Sequence, residues 1–166
     1  RYLTDAGTLA SKHGAETDCL YCPRGREFVD PTSACRVCGA GKFQPTDSTT
    51  PGITCKDCPS GRYLTDAGTL ASKHGAETDC QYCTAGRAFA TPTVPCAVCV
   101  AGRYQEQNTA AGVSTCKSCP PGQSAATNSV ICSTCATGKF QERAQSLVYG
   151  CKSCGPGQAA PSASIA

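Results

Sequence analysis

Residues 55–80 read CKDCPSGRYLTDAGTLASKHGAETDC, and the last nineteen of them, RYLTDAGTLASKHGAETDC, also stand at 1–19, sixty-one positions earlier. The stretch opens on a C-x-x-C pair, follows it with Gly61, and closes on the first cysteine of the next pair. Outward from there the same punctuation runs along the whole chain. Pairs begin at Cys19, Cys35, Cys55, Cys80, Cys96, Cys116, Cys132 and Cys151, which accounts for all 16 cysteines. Three residues after the second cysteine of every pair stands a glycine: Gly25, Gly41, Gly61, Gly86, Gly102, Gly122, Gly138 and Gly157. A glycine held at one place after a cysteine indicates a backbone position with positive φ, where a β-carbon would clash. Arg, Lys or Gln comes next, and then in most copies an aromatic, namely Phe28, Phe43, Tyr63, Phe89, Tyr104 or Phe140. Such a ring can lie flat on a disulfide and supply a small local core.

Composition supports this reading. Among 166 residues, Leu, Ile, Val and Phe together number 21, and there is no Trp or Met. That is too little apolar bulk for one large core. Cross-links stabilise small folds that bury little apolar surface, and cysteine at this density indicates an oxidising compartment. The net charge of +3 is spread without any block of like charges, which argues against nucleic acid or an acidic membrane surface as partner. No apolar run reaches the length of a membrane span. The sequence begins at Arg1 with neither an initiator Met nor a signal peptide, and its frame runs past both ends. It is expected to be a window on a longer repeat protein.

The segments between pairs have three lengths: twelve residues, fifteen or sixteen, and twenty-one. Periodic punctuation with variable segments marks an array of repeats. It divides into a truncated long segment at 1–18, a three-motif repeat at 19–79, a second at 80–131, and a partial repeat at 132–166.

Repetition also restricts which cysteine bonds to which. Grouping pairs two by two would join the motif at Cys19 to the one after it, but its counterpart at Cys80 to the one before it. Equivalent sequences would then carry inequivalent bonds. Joining the second cysteine of each pair to the first of the next removes the conflict: Cys22 to Cys35, Cys38 to Cys55, Cys58 to Cys80, Cys83 to Cys96, Cys99 to Cys116, Cys119 to Cys132 and Cys135 to Cys151. Cys19 and Cys154 are left for partners outside the segment. The spacing from Cys35 to Cys58 also matches a zinc ribbon, but four-cysteine sites likewise consume motifs in twos, and twelve-residue loops fall below the usual spacing. A redox C-x-x-C lacks its βαβ surroundings here.

The motifs CLYCPRGREF, CRVCGAGKF, CKDCPSGRY, CAVCVAGRY and CKSCPPGQ resemble the ephrin-receptor-like cysteine-rich repeats and, more distantly, the modules of tumour necrosis factor receptors. The resemblance implies an extracellular or cell-surface location and a small disulfide-rich fold. It further implies an elongated rod of short β-hairpins stacked end to end, with little helix and no large core. Such repeats occur in receptors, in protist surface coats and in large secreted proteins of algae and oomycetes.

Within the long segment, TDAGTLASKHGAETD is compatible with a short helix capped by Thr65 or Asp66 and stopped at Gly75, or with an irregular loop. His13 and His74 are expected to be exposed loop residues. Asp66, Glu77 and Asp79 lack the spacing of a calcium loop. Ser, Thr and Pro cluster at 46–54 and 90–95, making Thr49, Thr50, Thr91 and Thr93 candidates for O-linked sugars. Asn108 and Asn128 do not stand in an N-x-S/T acceptor. No nucleophile–base set, metal site, cofactor site or phosphate loop emerges, so no enzyme is expected. An exact duplicate places the same surface one repeat further along, which suits a structural polymer making contacts with copies of itself, with neighbouring repeats or with glycans. The alternative is the stalk or ligand-binding ectodomain of a receptor.

Overall fold

Each C-x-x-G run folds as a tight turn. In the computed structural model, which describes residues 1–3, 7, 9–47, 49, 51–107, 114–142 and 150–159, the residue after the glycine donates its N–H to the carbonyl just beyond the second cysteine, as in Arg26 to Pro23 and Arg62 to Pro59. The glycine occupies the third turn position, where a type II turn needs positive φ. All eight motif glycines lie there, from Gly41 at 73° to Gly61 at 83°, and among the described residues only glycines do.

The two residues after the glycine form one strand, and the two residues between the cysteines of the next pair form its partner. The fourteen strands are β1 (Arg26–Glu27), β2 (Arg36–Val37), β3 (Lys42–Phe43), β4 (Lys56–Asp57), β5 (Arg62–Tyr63), β6 (Gln81–Tyr82), β7 (Arg87–Ala88), β8 (Ala97–Val98), β9 (Arg103–Tyr104), β10 (Lys117–Ser118), β11 (Gln123–Ser124), β12 (Ser133–Thr134), β13 (Lys139–Phe140) and β14 (Lys152–Ser153). They pair consecutively into seven two-stranded sheets. The antiparallel register sets Arg26 opposite Val37 and Phe43 opposite Lys56. A single bridge between Tyr2 and Leu20 repeats the β5–β6 pairing in the first long segment. Described helix is confined to three-residue 3-10 turns.

Two-residue strands have no stability of their own in water. Their support is covalent. Seven disulfides close seven consecutive loops: loop 1 (Cys22–Cys35), loop 2 (Cys38–Cys55), loop 3 (Cys58–Cys80), loop 4 (Cys83–Cys96), loop 5 (Cys99–Cys116), loop 6 (Cys119–Cys132) and loop 7 (Cys135–Cys151). Among the described residues the buried apolar set is ten cysteines with Phe43, Leu64 and Ala125, so sulfur takes the place of a hydrophobic core.

The chain divides into two units, Arg1–Gln81 with Pro92–Val94, and Tyr82–Thr91 with Pro95–Ala166. Inside each unit, backbone hydrogen bonds tie each loop to its successor. In the first, Phe28 donates to Ile53, Gln44 to His74 and Leu64 to Pro92, each at 2.8 Å. In the second, Phe89 donates to Ser114 and Gln105 to Asn128, also at 2.8 Å. Turn glycines add a second rung, Gly25 to Gln44 at 2.9 Å and Gly86 to Gln105 at 2.6 Å. Packing is close at Gly25, where an added β-carbon would lie 2.0 Å from the Ala71 carbonyl oxygen. There glycine is required by space as well as by φ.

Candidate functional site

The disulfides hold Cα–Cα distances between 5.5 and 5.8 Å, inside the usual range. Cys19 and Cys154 are half-buried and unbonded. The sulfurs of a zinc-ribbon spacing at Cys35, Cys38, Cys55 and Cys58 are all taken up in disulfides. The structure distributes the aromatics between different neighbours. Phe43 packs with Leu64 on Cys58 and Cys80, the bond that closes the following loop. Tyr104 and Phe140 carry cross-strand lysines, with Lys117 Nζ 6.0 Å and Lys152 Nζ 5.9 Å from the ring centroids. Tyr63, Phe28 and Phe89 are half-buried. Thr49, Thr91 and Thr93 are exposed, and Thr50 lies outside the described residues.

The long segment of loop 3 is the most elaborated part of the structure. It forms no α-helix; two 3-10 turns, Ala71–Lys73 and Glu77–Asp79, are separated by Ala76 in an extended conformation. Asp66 caps no helix, since the turn Ala71–Lys73 has Leu70 at its N-cap with no side-chain cap bond, but its carboxylate organises the loop just before that turn. Its Oδ1 accepts N–H bonds from Gly68 at 3.0 Å, Thr69 at 2.9 Å and Leu70 at 3.3 Å, while Oδ2 takes the Thr69 hydroxyl at 2.7 Å. With these donors spent on one side chain, the backbone closes into a turn.

His74 corrects the expectation of an exposed loop residue. Its side chain is 0% exposed. Nδ1 lies 2.7 Å from the Lys42 carbonyl oxygen and Nε2 lies 2.9 Å from Asp66 Oδ1. Both ring nitrogens thus lie against oxygen atoms, one from loop 2 and one from loop 3, so the ring bridges the two loops. The His74 carbonyl accepts the Gln44 N–H, so ring and backbone together fasten loop 3 onto loop 2. His13, the same residue of the first copy, is exposed as expected.

Hydrogen bonds from His74, and then from Thr69, hold the Asp66 carboxyl well below its ordinary value. A carboxyl depressed in the folded chain contributes stability above its ordinary range. That contribution is lost as pH falls, because the unfolded chain takes up the proton first. Acidification below about pH 4 is therefore expected to loosen loop 3. Amide exchange at Gly68, Thr69 and Leu70, corrected for intrinsic rates, should accelerate between pH 5 and pH 2, with a smaller change in Asp66→Asn. Unchanged protection across that interval would remove Asp66 from this role.

Buried glutamines were not anticipated. Gln44, Gln105 and Gln141 occupy the position after the aromatic in the three medium loops and are 1%, 1% and 4% exposed. Gln44 Nε2 donates back to the Pro23 and Arg26 carbonyls at 3.3 and 3.1 Å, and its Oε1 takes the Thr46 N–H. Gln141 donates to the Gly150 carbonyl at 3.4 Å. The G-[KR]-[FY]-Q string common to the three medium loops is the signal that marks them.

Beside Asp66 an open cleft of about 420 Å³ is lined by Asp66, Lys73, Thr78, Asp79 and Gln81 among others. It offers hydrogen-bonding groups of both kinds and no nucleophile–base set. Among the described residues no three metal-ligating side chains come together, and no helix is long and apolar enough to cross a membrane. No family model and no curated protein matches the chain.

Proposed function

We propose that this chain is a structural repeat region of an extracellular filament, flagellar hair, sheath or surface coat, and not an enzyme. The single observation that carries the reading is the duplicated segment. Residues 1–19 and 62–80 are identical, and their 3-10 turns take the same backbone, with His13 and His74 both at φ −124° and ψ 13°. A surface reproduced one repeat further along provides equivalent contacts for a lattice, whereas a unique ligand site has no need of it. Seven consecutive disulfides suit an oxidising compartment and a secreted material. The resemblance to ephrin-receptor-like repeats agrees with that location. O-linked sugars at the exposed Thr49, Thr91 and Thr93 would add a polar coat.

The cleft beside Asp66 favours the other reading, a receptor ectodomain with a ligand. Electron microscopy of the protein isolated from its source without reducing agent separates the two. Regular filaments whose axial repeat contains this array are expected; well-dispersed single molecules would overturn the structural reading in favour of the receptor.

A further inference from the structure

Loops 4 and 5 repeat loops 1 and 2 further along the chain, with bonded cysteines 13 and 17 positions apart in both pairs. The backbone rungs that join the two loops are also the same. Gly25 donates to the Gln44 carbonyl and Phe28 to that of Ile53 in the first unit, as Gly86 does to Gln105 and Phe89 to Ser114 in the second. The side-chain bonds differ. Between loops 1 and 2, Gln44 reaches the Pro23 and Arg26 carbonyls, Glu27 Oε2 accepts the Cys55 N–H at 3.2 Å, and Arg24 pairs with Asp47 at 3.1 Å. In loop 4, Ala85 stands at the place of Arg24 and Ala88 at that of Glu27, so neither the ion pair nor the carboxylate acceptor can form. Arg36, which steadies Glu27 from across the hairpin at 3.0 Å, gives way to Ala97 opposite Ala88.

Two buried side chains widen the difference. Gln105 is 1% exposed and Ser114 is 3% exposed, yet neither the amide of Gln105 nor the hydroxyl of Ser114 has a hydrogen-bond partner among the described residues. At the corresponding places, Gln44 uses both ends of its amide and Ile53 has no polar side-chain atom to satisfy. Gln105 and Ser114 are also the two residues whose carbonyls receive the rungs from Gly86 and Phe89. A polar group buried without a partner regains its hydration when its cover lifts. Closing this junction therefore works against both side chains, whereas closing the junction of loops 1 and 2 satisfies Gln44.

We propose that the junction between loops 4 and 5 is a hinge built into the array. It opens locally, parting the Gly86 and Phe89 rungs and admitting water to Gln105 and Ser114, while the junction between loops 1 and 2 stays shut. Each loop remains closed by its own cystine, so the motion changes how loop 5 rests on loop 4 and leaves both folded. Compliance is thereby placed at one of two junctions that share a backbone pattern. The hinge does not depend on whether the chain polymerises.

Amide exchange of the whole oxidised chain, followed residue by residue by NMR and corrected for intrinsic rates, reads the opening. Exchange at Gly86 and Phe89 should run about ten- to a hundredfold faster than at Gly25 and Phe28. Equal protection at the two junctions overturns the hinge. Two variants test its cause. Ala88→Glu with Ala97→Arg transplants the Glu27–Arg36 pair, offers the Cys116 N–H an acceptor, and should slow exchange at Phe89 by about fivefold. Ser114→Ala removes a buried hydroxyl that has nothing to bond and should also slow exchange, whereas loss of a hydroxyl held by a bridging water would speed it. Faster exchange in Ser114→Ala, or no slowing in either variant, overturns the inference. Gly25 and Phe28 should keep their protection throughout and serve as the reference within one molecule. Filaments built from a chain whose junction stays shut would sink the hinge and leave the polymer reading standing.

Discussion

Removing the Cys58–Cys80 bond, with both residues changed to alanine, is expected to destabilise loop 3 by about 3 kcal/mol from loop closure alone, and by more once its packing is counted. The bond spans 22 residues and both sulfurs are buried, forming a cluster with Phe43 and Leu64. Without it Phe43 loses the sulfur part of its packing surface in loop 3, and the rung from Gly41 to Leu64 loses the nearest covalent tie between its surroundings. The comparison is removal of Cys119–Cys132, which spans 13 residues and whose Cys132 is only half-buried. Chain entropy differs between these loops by only about 0.4 kcal/mol, so any larger difference comes from the cluster. Hydrogen exchange resolved along the sequence should show lost protection in loops 2 and 3 with loops 5 to 7 unaffected, since energies in such arrays are passed between neighbours. Equal effects of the two removals would show that the Phe43 cluster contributes nothing.

His74→Ala is expected to destabilise by about 2–4 kcal/mol, whereas His13→Ala should stay within about 0.5 kcal/mol. The two substitutions fall in identical nineteen-residue surroundings, which makes the comparison internal to one chain. At position 74 the change empties a fully buried site and leaves both the Lys42 carbonyl and the Asp66 carboxylate without the ring. At position 13 the side chain is exposed. Urea unfolding gives the energies, and exchange at the Gln44 N–H, whose acceptor is the His74 carbonyl, locates them. Equal losses would mean that loops 1 and 2 lend the second segment no stability.

Local features were legible in the sequence because each is decided within a few residues. Gly25 follows Cys22 by three because that turn position needs positive φ, and the turn then places Arg26 and Glu27 to pair with the residues between Cys35 and Cys38. The order of the disulfides followed from equivalence between copies, again without knowledge of packing. Contacts between loops were not legible. Gln44 is buried because the Pro23 and Arg26 carbonyls of the preceding loop approach it. His74 shows the limit most plainly, since the same nineteen letters produce one exposed and one buried histidine. No reading of that segment by itself can distinguish them. Of the short helix and the irregular loop that the long segment allowed, the structure takes the loop, as Asp66 gathers N–H groups ahead of the first turn and Ala76 is extended.

The disulfides also set how the chain would respond to a pull. From Cys22 a tensile load can pass through sulfur to Cys35, along Arg36 and Val37 to Cys38, and through sulfur again to Cys55. The shortest covalent path from Cys22 to Cys151 therefore bypasses the contents of every loop, travelling only about 10 Å of backbone between one cystine and the next. Glycine turns, buried glutamines and the His74 clasp lie off the load line. Stretching can disturb how loops rest on one another, but it cannot pay out their length while the cystines hold. The β2, β4, β6, β8, β10 and β12 strands, two residues each, are the tendons of the molecule, and a reductant would convert an inextensible cable into a slack one.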